Sequence, residues 1–141
     1  MKCFQFKILN NILFTNSCLA KIGLIHSDLC TFCNIGMETI DHIFFYCFYS
    51  HVFWEEFESY RFAMAKEQRK LALKTILLRV TDTKCPLFNY LIVLGKLYLW
   101  NCRRNKSLPF FTSWYDVSHA MGFRVWGRIS IKNHSLTLLD N

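Results

Sequence analysis

The stretch "LCTFCNIGMETIDHIFFYC", residues 29–47, contains three cysteines and one histidine among residues that are mostly apolar or aromatic. The four ligand-type residues follow the pattern Cys30-x2-Cys33-x8-His42-x4-Cys47. A Cys-x2-Cys pair places two thiolates on a tight turn, where both reach one Zn²⁺ at about 2.3 Å, and the remaining ligands come from another element. The spacing therefore permits a zinc site, and we predict that these four residues are its ligands.

The second pair of ligands, His42 and Cys47, lies on a helix that Thr39 is expected to cap at its start. Five residues apart on a regular α-helix, the two side chains are separated by about 140° around the axis and about 7.5 Å along it. They therefore do not share one face. Both can reach one metal ion only if the helix loosens near Cys47.

The alternative to a metal site is a set of buried core residues, because free cysteines behave as small hydrophobes. The clustering of four ligand-type residues within residues 30–47 favours the metal. Four protein ligands fill a tetrahedral shell and leave no position for water, so the site is expected to be structural and not catalytic. The other cysteines have no partner spacing and are assigned to the core: Cys3, Cys18, Cys85 and Cys102.

The composition predicts a mainly α-helical fold. The 141 residues suffice for one domain with a core of ordinary size. Apolar residues make up 52% of the chain and charged residues 19%, which argues against wholesale disorder. Two prolines and five glycines are too few for a turn-rich all-β fold. We expect a small helical domain built around the Cys-Cys-His-Cys zinc finger, followed by further amphipathic helices.

Apolar residues at helical spacing predict helices over about 3–13, 40–60 and 66–80, and from Pro86 to the basic segment "CRRNKSLP". The 40–60 helix, apolar nearly all round, is expected to be the central, most buried element. A short helix capped by Thr15 or Asn16 is expected to stop at Gly23. A last apolar stripe is expected to stop at Gly122, and the alternation in "FRVWGRISI" suggests a short strand. Three regions follow from this pattern: a helix-turn-helix with the zinc-binding region (1–60), a basic helical region packed on it (61–122) and a tail (123–141).

The net charge of +7 is unevenly distributed along the chain. Three basic and six acidic side chains give residues 1–60 a net charge of −3, whereas fourteen basic and four acidic side chains give residues 61–141 a net charge of +10. An anionic partner is therefore expected to meet the second half. The candidate nucleic-acid contacts are Arg103, Arg104 and Lys106, flanked by Trp100 and Trp114, whose rings could stack on bases. The alternative is a solvated helix end whose positive charges suit the helix dipole. For the two tryptophans, a place in the core is favoured over a role as stacking platforms.

Neither a signal peptide nor a membrane span is predicted. Polar residues interrupt the apolar residues of the start, "MKCFQFKILNNILF". The apolar residues 86–102 include Asn89 and Lys96, which recur with Arg103 every seven residues on one helix face. Such a stripe is typical of a helix packed within a protein, whereas a membrane span requires about 20 apolar residues. The cysteines then suggest a reducing compartment, the cytoplasm or the nucleus.

Four segments share a pattern with a known family: "FKILNNILFTNSCLAKIGL", "LCTFC", "METIDHIFFYC" and "FW". Together they resemble the reverse-transcriptase zinc-binding domain found at the C-terminal end of non-LTR (LINE-type) retrotransposon polyproteins. The resemblance covers about residues 4–60, and "LIVLGKLYLWNCRRNKSLPFFTSW" extends it to about residue 120. It implies one structural Zn²⁺ on Cys30, Cys33, His42 and Cys47, and a role in nucleic-acid engagement that supports target-primed reverse transcription.

The chain contains no polymerase or nuclease motif, so we do not expect an enzyme. It has no Tyr-x-Asp-Asp stretch, no paired carboxylates for two-metal chemistry and no Gly-rich phosphate loop. We interpret it as a structural zinc-binding domain of retrotransposon origin, a detached reverse-transcriptase C-terminal region that binds RNA or DNA weakly through its basic second half. Two alternatives stay open: a zinc-stabilised module that docks on protein, such as other parts of a retroelement reverse transcriptase, and an inert retroelement fragment.

Overall fold

The computed structural model describes residues 2–65, 72–78 and 86–119. Their helices are α1 (Lys2–Leu9), α2 (Asn16–Lys21), a π-helical turn (His42–Tyr46), α3 (Phe48–Ala65), α4 (Leu73–Leu78), α5 (Pro86–Arg104) and α6 (111–119). Among these residues the only extended pairing is an isolated antiparallel bridge between Leu29 and Met37. The prediction of a mainly α-helical protein is confirmed.

The chain divides into two units between Phe111 and Thr112, and each is described by itself. The first unit contains α1 to α5, and the described part of the second ends at residue 119. The predicted division at residue 60 falls within α3, which continues to Ala65. The predicted stop at Gly122 and the predicted tail with its strand lie outside the described residues, as do residues 66–71 and 79–80 of the predicted 66–80 helix.

The π-helical turn lies at the centre of the first unit. It contacts α3, α4 and α5, and α1 packs on α4. Phe44 of this turn is fully buried, with its ring centroid 6.3 Å from that of Phe4 and 6.2 Å from that of Trp100. Ile43 of the same turn is fully buried as well, in agreement with the central position expected for residues 40–60.

The predicted helix over residues 40–60 is interrupted at Cys47, whose backbone is extended with ψ 134°. The interruption breaks the regular ladder of helical hydrogen bonds, and buried carbonyls at such a break need other donors. Two side chains of α3 supply them: Ser50 Oγ donates to the carbonyl of Ile43 at 2.6 Å, and Trp54 Nε1 donates to that of Phe44 at 2.7 Å. The two helical segments are thereby fastened together across the break.

Helix α5 begins at Pro86, as predicted, and packs closely on α3. A Cβ atom on Gly95 would lie 2.7 Å from Cη2 of Trp54, so only glycine lets the two helices approach this closely. The polar stripe of α5 is partly internal, because Lys96 is fully buried and donates to the side-chain oxygen of Gln5 and to the carbonyl of Leu77. None of the described helices combines the length and hydropathy that crossing a membrane requires.

Helices α1, α2 and α5 end in the same way. In each, one residue adopts a left-handed conformation: Asn11 (φ 54°), Gly23 (φ 74°) and Lys106 (φ 53°). That residue donates to the carbonyl three positions back, and the next residue donates to the carbonyl five positions back, which is the Schellman motif. The predicted stop at Gly23 is confirmed. The predicted helix over residues 3–13 is corrected to Lys2–Leu9, because the left-handed Asn11 ends it early.

Candidate metal centre

The two cysteines of the Cys-x2-Cys pair lie on a short hairpin loop. The bridge between Leu29 and Met37 closes the loop, and inside it the N–H of Cys30 donates to the carbonyl of Gly36 at 2.8 Å. The N–H of Asn34 returns to the carbonyl of Cys30 at 2.9 Å, and Asn34 itself is left-handed with φ 53°. Asparagine tolerates this conformation better than most residues, so the local sequence suits the turn.

The hairpin loop packs against the ring of the third ligand. A Cβ atom on Gly36 would lie 2.6 Å from Cε1 of His42, so a side chain at this position would collide with the imidazole. Thr39 fixes the backbone of His42, because its Oγ1 accepts the backbone N–H of that residue at 3.1 Å. Thr39 therefore caps the helical segment as predicted, and the histidine ring is held between the loop and its own helix start.

The π-helical turn brings the third and fourth ligands to the same side. The N–H of Cys47 donates to the carbonyl of His42 at 2.7 Å, which is an i→i+5 bond. In this geometry residues five apart lie one turn apart, whereas in an α-helix they are rotated away from each other. The helix loosens at the place where convergence of His42 and Cys47 requires it.

All four predicted ligand atoms converge. The sulfur atoms of Cys30, Cys33 and Cys47 and a ring nitrogen of His42 lie within 4.8 Å of one another. The Sγ atoms of Cys30 and Cys47 are 3.8 Å apart, and Sγ of Cys33 is 3.4 Å from Nε2 of His42. Ligands at about 2.3 Å from a tetrahedral Zn²⁺ would be separated by about 3.8 Å. The arrangement fits such an ion.

The thiols of Cys30 and Cys47 differ in pKa, and therefore in how readily each forms the thiolate that binds a metal. The hydrogen bond that Cys30 donates to Cys47 raises the pKa of Cys30, and burial raises it further. The same bond lowers the pKa of Cys47, and the backbone N–H groups of Tyr49 and Ser50 at the start of α3 lower it as well. Because the thiolate is the ligand form, the N-terminus of α3 stabilises Cys47 in the state that binds metal.

The other cysteines and histidines of the described residues do not join the cluster. Cys102 is buried and Cys18 is half-buried, whereas Cys3 is exposed on α1, so its assignment to the core is wrong. Cys85 lies outside the described residues. Within the described ranges, the four predicted ligands form the single group of metal-binding side chains.

A buried carboxylate beside the metal loop was not recognised as special from the sequence. Glu38 is fully buried, and its Oε2 accepts both the N–H of Thr31 at 2.7 Å and the hydroxyl of Thr31 at 2.6 Å. Its Oε1 accepts the N–H of Asn16 at 2.8 Å and the Nε–H of Arg103 at 3.0 Å, and it forms an ion pair with Nη2 of Arg103 at 2.9 Å. Glu38 thus connects the Cys-x2-Cys loop, the start of α2 and the end of α5.

The three predicted nucleic-acid contacts differ in their environments. Arg103 is 13% exposed in its side chain, pairs with Glu38 and lies 4.7 Å from the ring centroid of Trp100. It therefore has a structural role that the sequence did not reveal. Arg104 and Lys106 are exposed. Trp114 is only 2% exposed, so its ring is not a free platform for stacking bases.

These features define a helical domain with a Cys3His metal-binding cluster at the centre of its first unit. Residues 1–54 match a family model described as zinc-binding in reverse transcriptase, so this part of the chain is similar to the zinc-binding domain of reverse transcriptases. The match confirms the resemblance, and it ends at Trp54, whose indole closes the break after Cys47. The predicted extension to about residue 120 lies beyond the matched span. Neither curated proteins nor solved structures gave a match.

Proposed function

We propose that the cluster binds one structural Zn²⁺ and has no catalytic role. The convergence of the four ligand atoms within 4.8 Å carries this proposal. Three thiolates and one imidazole complete a tetrahedral shell and leave no position for a reacting water. The ion would join the hairpin loop to the π-helical turn, because Cys30 and Cys33 lie on the loop whereas His42 and Cys47 lie at the two ends of the turn.

Metal content and cobalt spectroscopy test the ligand set. Protein purified without added zinc should contain one zinc per chain, and a cobalt-substituted sample should show thiolate charge-transfer bands. Cys33→Ser should remove or shift these bands because it removes one of three thiolates. Cys18→Ser is the matched control, since Cys18 is a half-buried cysteine outside the cluster. Bands that are identical in Cys33→Ser and the unmodified protein would show that the ligands are misassigned.

We further propose that the domain derives from a retrotransposon reverse transcriptase and contacts RNA or DNA weakly through its basic second half. The match to a reverse-transcriptase domain, the charge of +7 and the exposed Arg104 and Lys106 support this proposal. The free thiols of the described cysteines are compatible with the reducing conditions of the cytoplasm or the nucleus.

A second candidate function is a zinc-stabilised module that docks on another part of a reverse transcriptase. One observation favours it: the first unit exposes several large apolar side chains, among them Phe14 (63%), Leu24 (69%) and Ile35 (83%). Salt separates the two functions. Binding through phosphates weakens steeply as salt is added, whereas an apolar interface does not. If neither nucleic acid nor reverse transcriptase bound, the inert-fragment interpretation would gain support.

A further inference from the structure

A groove of about 630 Å³ lies between the end of α5 and the segment around the metal loop. Arg103, Arg104 and Lys106 line one part of it, and Asn16, Ser27 and Thr31 line another. The imidazole of His26 also faces this space, and none of the lining residues is acidic. A concave surface with several cations and hydrogen-bonding side chains suits an anion.

The cations of the groove differ in whether a carboxylate neutralises their charge. Nε of Arg103 donates to Oε1 of Glu38 at 3.0 Å, and Nη2 forms an ion pair with the same oxygen at 2.9 Å, so the positive charge of Arg103 is largely compensated. Within the described parts of the chain, Arg104 and Lys106 have no carboxylate partner. These two exposed cations therefore supply the charge that an anion would meet.

The position of Lys106 is fixed by the backbone and not by its side chain. Lys106 occupies the left-handed position of the Schellman motif that ends α5, where glycine is the usual residue. A lysine in this conformation is uncommon and costs free energy relative to glycine. Glycine suits this backbone conformation, so the cation can be removed by Lys106→Gly without a change in how α5 ends.

The opposite wall of the groove depends on the metal loop. Thr31 follows the ligand Cys30 directly, and its N–H and hydroxyl both hold Glu38. Glu38 in turn holds Arg103, and Asn16 accepts Nη2 of Arg103 at 2.9 Å. A change in the Cys-x2-Cys loop is therefore transmitted to the groove through three consecutive contacts.

We infer that this groove binds a backbone phosphate of a nucleic-acid strand, with Arg104 and Lys106 as its cationic contacts and the metal loop as its opposite wall. The inference rests on the proposed nucleic-acid function and locates the binding site on the surface of the protein. The proposed site is not confined to residues 61–141, where the charge distribution predicts binding, because Asn16, Ser27 and Thr31 of the first half also line the groove. The groove recognises the backbone, so RNA and DNA of any sequence should bind alike.

The test measures binding of a fluorescein-labelled single-stranded oligonucleotide to the full zinc-loaded chain at several salt concentrations. Arg104→Ala/Lys106→Gly removes both groove cations, and glycine suits the backbone at position 106. The matched control is Lys7→Ala/Lys21→Ala, which removes the same charge from exposed positions outside the groove. Loss of two phosphate contacts should weaken binding about tenfold near physiological salt. The negative slope of log association constant against log salt should become shallower by about 1.4. The control should change binding less than twofold.

Each other outcome contradicts a defined part of the inference. Equal weakening by the two double variants would show that binding follows net charge and not the groove, and the nucleic-acid function would survive. Failure of the zinc-loaded, unmodified protein to bind the oligonucleotide would overturn the nucleic-acid function and the groove together. Competition by inorganic phosphate at the same phosphate concentration would identify a small-anion site in place of a strand site. Full binding after chelation of the metal would disprove the dependence on the metal loop.

Thermal unfolding of each variant shows whether it is folded. If Arg104→Ala/Lys106→Gly did not fold, Lys106→Gly alone would carry the test. Its expected effects are a reduction of the salt slope by about 0.7 and binding weakened about threefold to fourfold near physiological salt. An unchanged slope in this folded single variant would exclude Lys106 as a phosphate contact.

Discussion

At the scale of single residues, Glu38 is the clearest case of a polar group whose burial is compensated. A carboxylate removed from water loses several kcal/mol unless charges and donors replace its hydration. Glu38 receives donors from three separate segments through Asn16, Thr31 and Arg103. Its removal would leave Arg103 without its counter-ion and Asn16 and Thr31 without their acceptor.

Glu38→Ala should therefore lower the free energy of unfolding by about 3 kcal/mol or more, measured by urea denaturation of the zinc-loaded protein. Glu56→Ala is the control, because Glu56 is exposed on α3 and should change stability by no more than about 0.5 kcal/mol. Equal stability of the two variants would mean that the Glu38 contacts contribute no net stabilisation.

The residues of the metal centre could be read from the sequence, whereas those of its surroundings could not. Cysteines and histidines are rare, and their spacing indicated Cys30, Cys33, His42 and Cys47 as candidate ligands, whose ligand atoms the structure brings within 4.8 Å of one another. Glu38 and Arg103 are 65 positions apart, and nothing local distinguishes this pair from the other charged residues of the chain. Pairing across such a distance depends on tertiary packing, which one sequence does not display.

At the scale of elements, the break after the π-helical turn leaves backbone carbonyls that side chains of α3 must supply with hydrogen-bond donors. Ser50 and Ser59 lie on the same helix, and each donates its hydroxyl to a backbone carbonyl. The bond from Ser50 to Ile43 is buried and that from Ser59 to Glu55 is exposed. Water can replace the second donor but not the first.

Ser50→Ala is accordingly expected to cost about 1–3 kcal/mol, because it leaves a buried carbonyl without this donor. The matched Ser59→Ala should be nearly neutral, within about 0.5 kcal/mol. Chemical denaturation of both variants measures the difference. Similar values for the two serines would indicate that the carbonyl at the break finds another partner.

The helix ends give a second prediction at this scale. Gly23→Ala should destabilise the protein by about 1 kcal/mol, since alanine is strained at φ 74° although its Cβ would meet no atom within 4 Å. Lys106→Gly should be neutral or stabilising by up to about 1 kcal/mol, because relief of the strained conformation offsets the greater freedom of glycine in the unfolded chain. Thermal unfolding measures whether each variant is more or less stable than the unmodified protein. Destabilisation by Lys106→Gly would argue against strain at this turn.

Helix content was predictable from apolar spacing. Helix ends were predictable only where glycine or proline, which rarely occur inside a helix, marked them. Gly23 and Pro86 marked a stop and a start correctly. Asn11 did not, because asparagine also occurs inside helices and the apolar stripe continues to Leu13. The interruption at Cys47 was signalled only by the demand that two ligands meet.

At the scale of the whole molecule, the metal centre and the hydrophobic core of the first unit share one segment. His42 belongs to the same turn as Ile43 and Phe44, both fully buried, and that turn contacts α3, α4 and α5. A disturbance at the ligands therefore reaches the centre of the core within one or two residues.

A strong chelator should accordingly lower the thermal transition and the helical circular dichroism of the protein. Structural zinc contributes about 10 kcal/mol or more in small fingers, which is comparable to the stability of a whole domain. Added zinc should restore the signal, and a folded Cys33→Ser variant should respond less to the chelator. An unaltered transition after complete metal removal would refute the structural role of the metal.

The π-helical turn also bears on how a metal centre of this kind tolerates changes in chain length. In a regular α-helix, residues four apart lie on one face, so two ligands separated by three residues would meet there as they do here with four between them. A single-residue deletion between two ligands usually destroys a site. Here the loss of one residue, such as Tyr46 with its 61% exposed side chain, could be absorbed by conversion of the turn to α-helix. The spacing of the ligands can then drift by one residue over evolutionary time while the metal geometry stays the same.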